Sequence, residues 1–125
     1  MEEQLVQIRD QFLTELLGLR QRLGGSWDAL HTALKPTLDV LGSPLSTIVD
    51  HAHVSSSWEV ETRSLDAEIA GELSQVLIRL SDALTSWYRA QRPREVKIAE
   101  VISTFYVDVQ RPLWAAHPAL QPFDA

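Results

Sequence analysis

The chain contains no cysteine. This absence excludes a disulfide framework, a thiolate metal site and a cysteine nucleophile. Long apolar runs are also absent, and none approaches the roughly 20 residues that a membrane-spanning helix needs. The first dozen residues mix charged side chains with isolated apolar ones, which is not the pattern of a signal peptide or a membrane anchor. The sequence therefore predicts a cytoplasmic protein that does not associate with a membrane.

Positive charge is scarce as well. Lys and Arg total 11 against 17 Asp and Glu, the formal net charge is −6, and the basic residues are scattered along the chain. Because nucleic-acid binding depends on neutralising phosphates with clustered basic side chains, we do not expect DNA or RNA as a partner. The 125 residues and the hydrophobic fraction of 45% fit a single globular domain over residues 1–125.

Apolar residues recur at steps of three and four along most of the chain, which is the period of amphipathic helices. Helices joined by short loops predict an all-α fold, an antiparallel bundle of four to five helices. The pattern predicts one long helix from about Ser64 to Tyr88, with Ser64 as its N-cap. Its apolar stripe consists of Leu65, Ile69, Leu73, Val76, Leu80, Ala83 and Trp87.

Glycine and proline divide the rest of the chain. Gly24-Gly25 is expected to end a first helix that contains Leu5 to Leu23, and Pro36 is a strain point within the second. Residues 53–63 are expected to form a loop. The other predicted elements are a second helix from Ser26 or Asp28 to Leu41, a short third one over 44–52, a last one from about Pro93 that Arg111-Pro112 stops, and an irregular tail over 112–125.

Two pairs of residues share a helical face because their members are four positions apart. Glu68 and Glu72 either hold a divalent cation or form a solvated acidic surface. Trp27 and His31 either belong to the core or form a surface on which a ligand can stack. The spacing alone leaves both pairs open.

Two histidine spacings carry less information. His51 and His53 would lie on different helical faces, which favours two solvated side chains over a shared metal. Arg111 and His117 are separated by five residues, as in some helical ribonucleases. Nine arginines and four histidines give such a match about once by chance.

Three stretches of the sequence resemble a family of enzymes. They are Ser26-Trp27-Asp28-Ala29-Leu30-His31, then Gly42, and then the segment GELSQVLIRL from Gly71 to Leu80. Over most of the chain they look like the all-α nucleoside triphosphate pyrophosphohydrolases of the MazG and dCTP pyrophosphatase type. This resemblance implies a helical core, a homo-oligomer (dimer or tetramer) and an acidic cluster on two facing helices. That cluster would hold Mg²⁺ on the triphosphate of a nucleotide while water attacks between the α and β phosphates.

The metal site that the resemblance implies is degenerate in this chain. The four acidic positions of the family correspond to Ser43, Ser46, Glu72 and Gln75. Only Glu72 is a carboxylate, and neutral side chains are poor substitutes for the carboxylate oxygens that a hard cation selects. Candidate substitutes elsewhere in the chain are Asp39, Asp50 and Glu68.

The resemblance also implies a nucleotide pocket. Trp27 and His31 match positions on the base side, whereas Tyr106 and Gln110 stand where the family usually has a phosphate-binding lysine and an asparagine. The combination predicts an inactive relative that binds a nucleotide-like ligand or serves in assembly. Two alternatives stay open: an active pyrophosphohydrolase with a rearranged acidic set, and a purely structural helical module for protein interactions.

Overall fold

The computed structural model describes residues 2–42, 56–93 and 95–121 of the chain. Within these ranges the fold is all-α and contains no strand, which confirms the predicted fold class. None of the helices in these ranges is long and apolar enough to cross a bilayer. The elements are α1 (Glu2–Leu17), α2 (Arg20–Leu23), α3 (Ser26–Leu41), α4 (Ser56–Thr62), α5 (Ala67–Ala90), α6 (Val96–Phe105), a π-helical segment (Tyr106–Gln110), α7 (Arg111–Ala116) and a 3₁₀ turn (Pro118–Leu120).

Helix α5 is the long helix that the apolar period predicts, and it is buried on a wider face than the predicted stripe. Besides that stripe, Ala70, Leu77 and Leu84 are fully buried, because α5 packs against both α1 and α6. Its N-cap is Asp66 and not Ser64: the Asp66 carboxylate accepts a hydrogen bond from the Glu68 backbone N–H at 3.0 Å. An aspartate there satisfies an otherwise unpaired donor of the first turn.

The N-terminal third differs from the prediction in its first helix and agrees with it in its second. The first helix is interrupted at Gly18, and the short α2 then ends at Gly24, whose φ of 56° lies in the left-handed region that favours glycine. Helix α3 has the predicted bounds, Ser26–Leu41, and continues through Pro36. The buried Leu34 and Thr37 beside Pro36 belong to a face that packs on α1, α4 and α6, and this packing offsets the missing N–H of proline.

The loop predicted over residues 53–63 is wrong over its second half, which forms α4. The helix forms because Trp58 and Thr62 are completely buried, and the next apolar residue, Leu65, is buried too. The Trp58 indole N–H donates to the backbone carbonyl of Val109 at 3.0 Å. Tertiary packing therefore overrides a local sequence rich in serine and charge.

The C-terminal prediction is wrong over residues 112–116, because Arg111-Pro112 does not end the helical path. Instead, the Arg111 backbone N–H donates a hydrogen bond to the carbonyl of Tyr106, five residues earlier in the chain. Pro112 lies in the first turn of α7, where it needs no N–H partner. Trp114 is buried, and its indole N–H donates to Ser74 Oγ on α5 at 3.0 Å. The predicted short helix over 44–52 and the last four residues of the tail lie outside the described residues.

Candidate functional site

Trp27 and His31 lie one turn apart on α3 and form a stacked pair. Their ring centroids are 6.3 Å apart and their planes differ by 22°. Trp27 is half-buried and His31 is exposed, so neither ring belongs to the fully buried core. The Arg20 guanidinium lies over the indole, with its central carbon 5.1 Å from the ring centroid. This is a cation–π contact, in which the negative face of the ring quadrupole attracts the guanidinium.

An open depression of about 480 Å³ lies beside this indole. Leu17, Arg20, Gln21, Gly24, Trp27 and Asp28 line it. An apolar ring surface, one cation, one carboxylate and one amide therefore surround a space of the size that small-molecule sites have. Leu17, at the end of α1, is half-exposed although it is a large apolar residue.

The start of α3, which carries the indole, is held in place by a contact with α4. The buried Ser26 hydroxyl donates to Glu61 Oε1 at 2.8 Å. The Trp27 backbone N–H donates to the carbonyl of Gly24, at 3.1 Å. These two hydrogen bonds hold the backbone at the start of α3, from which Trp27 extends.

Tyr106 and Gln110, the other two predicted ligand-binding residues, do not line this depression. Both belong to the π-helical segment. The Tyr106 ring packs against Trp114, with centroids 6.0 Å apart and an angle of 55° between the planes. Gln110 is buried. The four residues predicted from the resemblance thus lie on two different elements, and of these four only Trp27 lines the depression.

The predicted metal ligand Glu72 lies on α5 and is paired with an arginine that the sequence analysis did not consider. Arg22 on α2 contacts the Glu72 carboxylate at 2.5 Å and approaches the Glu68 carboxylate at 3.7 Å. The hydrogen bond from Arg22 lowers the pKa of Glu72, and the same bond raises the pKa of Arg22. The acidic pair therefore already has a cationic partner within the chain.

Only some of the remaining members of the predicted acidic set lie within the described residues. Asp39 on α3 pairs with Lys35 at 3.3 Å, and Gln75 is exposed on α5. Ser43, Ser46 and Asp50 lie outside the described residues, as do His51 and His53. Within the part of the chain that the structure describes, no three His, Asp or Glu side chains form a group that could hold a metal ion.

Arg111 and His117 stand at opposite ends of α7. The His117 ring donates from Nε2 to the Thr62 carbonyl of α4, with the two atoms 2.9 Å apart, so this nitrogen is engaged in packing the two helices. A step of six positions along a helix separates the two residues by roughly 9 Å along the axis. In the pair whose spacing resembles a ribonuclease motif, His117 therefore makes a structural contact.

Comparisons with known proteins give no relative. No family model, no curated protein and no solved structure matches the chain.

Sequence reasoning missed two residues of the site, Arg20 and Arg22. Both lie on α2, whose direction depends on the break at Gly18 and on the turn at Gly24. The sequence does carry one signal: Arg20 lies seven residues and Gly24 three residues before Trp27, and a glycine with positive φ turns the chain back on itself.

Proposed function

We propose that this protein is a non-catalytic helical module that binds a planar, nucleobase-like ligand at Trp27 and His31, and that it descends from the MazG-like pyrophosphohydrolases. The observation that carries the proposal is the half-exposed indole beside an open depression, with a cation already stacked on it. Every nucleobase has a π face, so an indole platform accepts such rings without requiring one base in particular.

Movement of the Arg20 side chain would expose the ring face of Trp27. Arg20 lies on a four-residue helix next to Gly24, and its side chain is exposed. A ligand ring can replace the guanidinium on the indole, and the displaced guanidinium then faces the ligand's phosphate or other anionic group. An arginine pairs well with such a group because its fork of N–H donors matches two oxygens.

Asp28 and Gln21 supply edge contacts for the ring. The Asp28 carboxylate accepts hydrogen bonds from an exocyclic amino group, and the Gln21 amide both donates and accepts. Stacking contributes about 1–3 kcal/mol per base. With one or two hydrogen bonds the binding free energy reaches about 4–6 kcal/mol, which corresponds to dissociation constants from roughly 1 mM to tens of micromolar.

Loss of hydrolysis follows from the pairing of Glu72. A Mg²⁺ ion at this carboxylate has to displace Arg22, and the neutral Gln75 offers no second charge one turn away. Mg²⁺ requires an octahedral set of oxygen ligands and gives up its water reluctantly, so a single carboxylate already engaged by arginine is a poor site. The same reasoning disfavours an active enzyme that uses Glu68 and Glu72.

Isothermal titration calorimetry with adenosine, cytidine and guanosine monophosphates and their triphosphates, each in EDTA and in Mg²⁺, tests the proposal. We expect binding that Mg²⁺ does not change and that Trp27→Ala abolishes, whereas Tyr106→Phe leaves it unchanged. Absence of binding for every compound at millimolar concentration would overturn the ligand site. Rapid Mg²⁺-dependent release of pyrophosphate that Glu72→Ala removes would overturn the loss of catalysis.

The proposal includes a cytoplasmic homo-oligomer, because the family resemblance implies association through the helices. Light scattering coupled to size exclusion measures this directly. A mass of about twice or four times 14.1 kDa supports it, and a monomer mass at all concentrations contradicts it.

A further inference from the structure

A second groove lies between α4 and α7, away from the Trp27 depression. Its volume is about 340 Å³. Two hydrogen bonds hold α4 against the neighbouring helical segments: the Trp58 indole N–H donates to the Val109 carbonyl in the π-helical segment, and the His117 ring, just after α7, donates to the Thr62 carbonyl. The groove is therefore formed in advance, as small-molecule sites usually are.

The groove has an apolar floor and a charged rim. Val107, Pro112, Ala115 and Ala116 provide the apolar surface. Arg63 and Arg111 lie on the rim with one acidic residue, Glu59. Such a combination suits a ligand that has an apolar body and a charged end.

The charges on the rim are not balanced. Glu59 lies 3.7 Å from Arg63 and offsets that guanidinium, whereas Arg111 is exposed and forms no salt bridge with any residue that the structure describes. Among the described residues that line the groove, two cations and one carboxylate leave one net positive charge beside the apolar floor. The rim is thus matched to a single negative charge, although the whole chain has a net charge of −6.

We propose that the groove between α4 and α7 binds a small amphipathic carboxylate, with the carboxylate paired to Arg111 and Arg63 and the apolar body on Val107, Pro112 and Ala115. A carboxylate fits because a guanidinium donates two parallel hydrogen bonds to its two oxygens. The site is independent of the Trp27 platform, so either one can fail without the other.

Octanoate is a suitable probe, and ¹H–¹⁵N NMR of the full chain reports where it binds. Acetate keeps the charge without the apolar body, and octan-1-ol keeps the body without the charge. We expect octanoate to move the backbone signals of residues 59–63 and 107–116 and to bind at least tenfold more tightly than either control, since a charged hydrogen bond and an apolar contact each exceed the free energy of a tenfold change.

Variants distinguish binding of octanoate in this groove from nonspecific binding to the protein surface. Arg111→Gln should weaken octanoate binding about tenfold, which is the effect of losing one charge-assisted pair. Arg89→Gln, at an exposed arginine on the last turn of α5, is the matched control and should leave binding unchanged. Ala115→Asp adds a negative charge at the exposed floor residue and should abolish binding without unfolding the chain.

Three results would overturn the proposal. They are octanoate shifts outside this groove or none at all, equal affinity for octanoate and octan-1-ol, and wild-type affinity in Arg111→Gln. Unchanged octanoate binding in Trp27→Ala is expected, because the indole lies at a different site.

Discussion

Trp58 provides the sharpest test of how α4 is held in the fold. It is completely buried, and its indole N–H donates to the Val109 carbonyl in the π-helical segment, 51 residues further along the chain. The substitution Trp58→Phe keeps most of the buried aromatic surface but removes the N–H. The Val109 carbonyl then loses this buried donor, and the smaller ring leaves a void.

The two effects give the size of the change. An unsatisfied buried polar group costs about 1–3 kcal/mol, and a void of a few buried atoms adds about 1 kcal/mol. We therefore expect the free energy of unfolding to fall by about 2–4 kcal/mol. For a domain of this length each kcal/mol lowers the melting temperature by roughly 3–5 °C, so the expected decrease is about 6–20 °C.

Urea titration and thermal melting, both followed by circular dichroism at 222 nm, measure this change. Trp27→Phe is the matched control, because the same substitution at a half-exposed tryptophan should change the free energy of unfolding by less than about 1 kcal/mol. Equal stability of Trp58→Phe and the wild type would refute both the burial of α4 and its hydrogen bond to the π-helical segment.

Three further predictions concern single contacts. Ser74→Ala removes the acceptor of the buried Trp114 indole and should lower the free energy of unfolding by about 1–2 kcal/mol in urea titration; no loss would contradict the contact. Gly24→Ala should lower the melting temperature, because a side chain at φ 56° costs about 1 kcal/mol, whereas Gly25→Ala, at φ −64°, should preserve or raise it; the reverse order would contradict the turn. The lowered pKa of Glu72 predicts a stabilisation of the fold that is present above about pH 4.5 and is lost as the pH falls through the lowered pKa. In urea titrations from pH 3 to 7, the free energy of unfolding should therefore decrease less on acidification in Glu72→Gln than in the wild type. Identical pH profiles of the two proteins would contradict this prediction.

The helical period predicts the long helix well, because burial along α5 follows its apolar stripe. What the predicted stripe misses is the second buried face: Leu77 and Leu84 lie beside the chosen stripe, and Ser74 is not recognised as a core residue from its chemistry. Helix α4 escapes prediction for a related reason: serine and charged residues surround Trp58 and hide the spacing to Thr62 and Leu65. Burial of a threonine depends on tertiary contacts that a local pattern does not contain.

In the candidate site, the sequence predicts only contacts between residues that are close together in the chain. The stacking of Trp27 on His31 follows from a spacing of four on one helix. The contact from Arg22 to Glu72 joins residues 50 positions apart, and it depends on the break after α1 and on the turn at Gly24. No spacing rule gives such a pair, so the occupation of the acidic face by an arginine becomes evident only in three dimensions.

The most direct test of the ligand site uses the indole N–H signals in ¹H–¹⁵N NMR, because the chain has four tryptophans and hence four such signals. The indoles of Trp58, Trp87 and Trp114 are buried and donate hydrogen bonds within the fold, whereas Trp27 lines the open depression. On addition of adenosine monophosphate up to a few millimolar, we predict a saturable shift of the Trp27 signal with the other three unmoved. Four unmoved signals, or shifts confined to the buried tryptophans, would contradict the proposed platform.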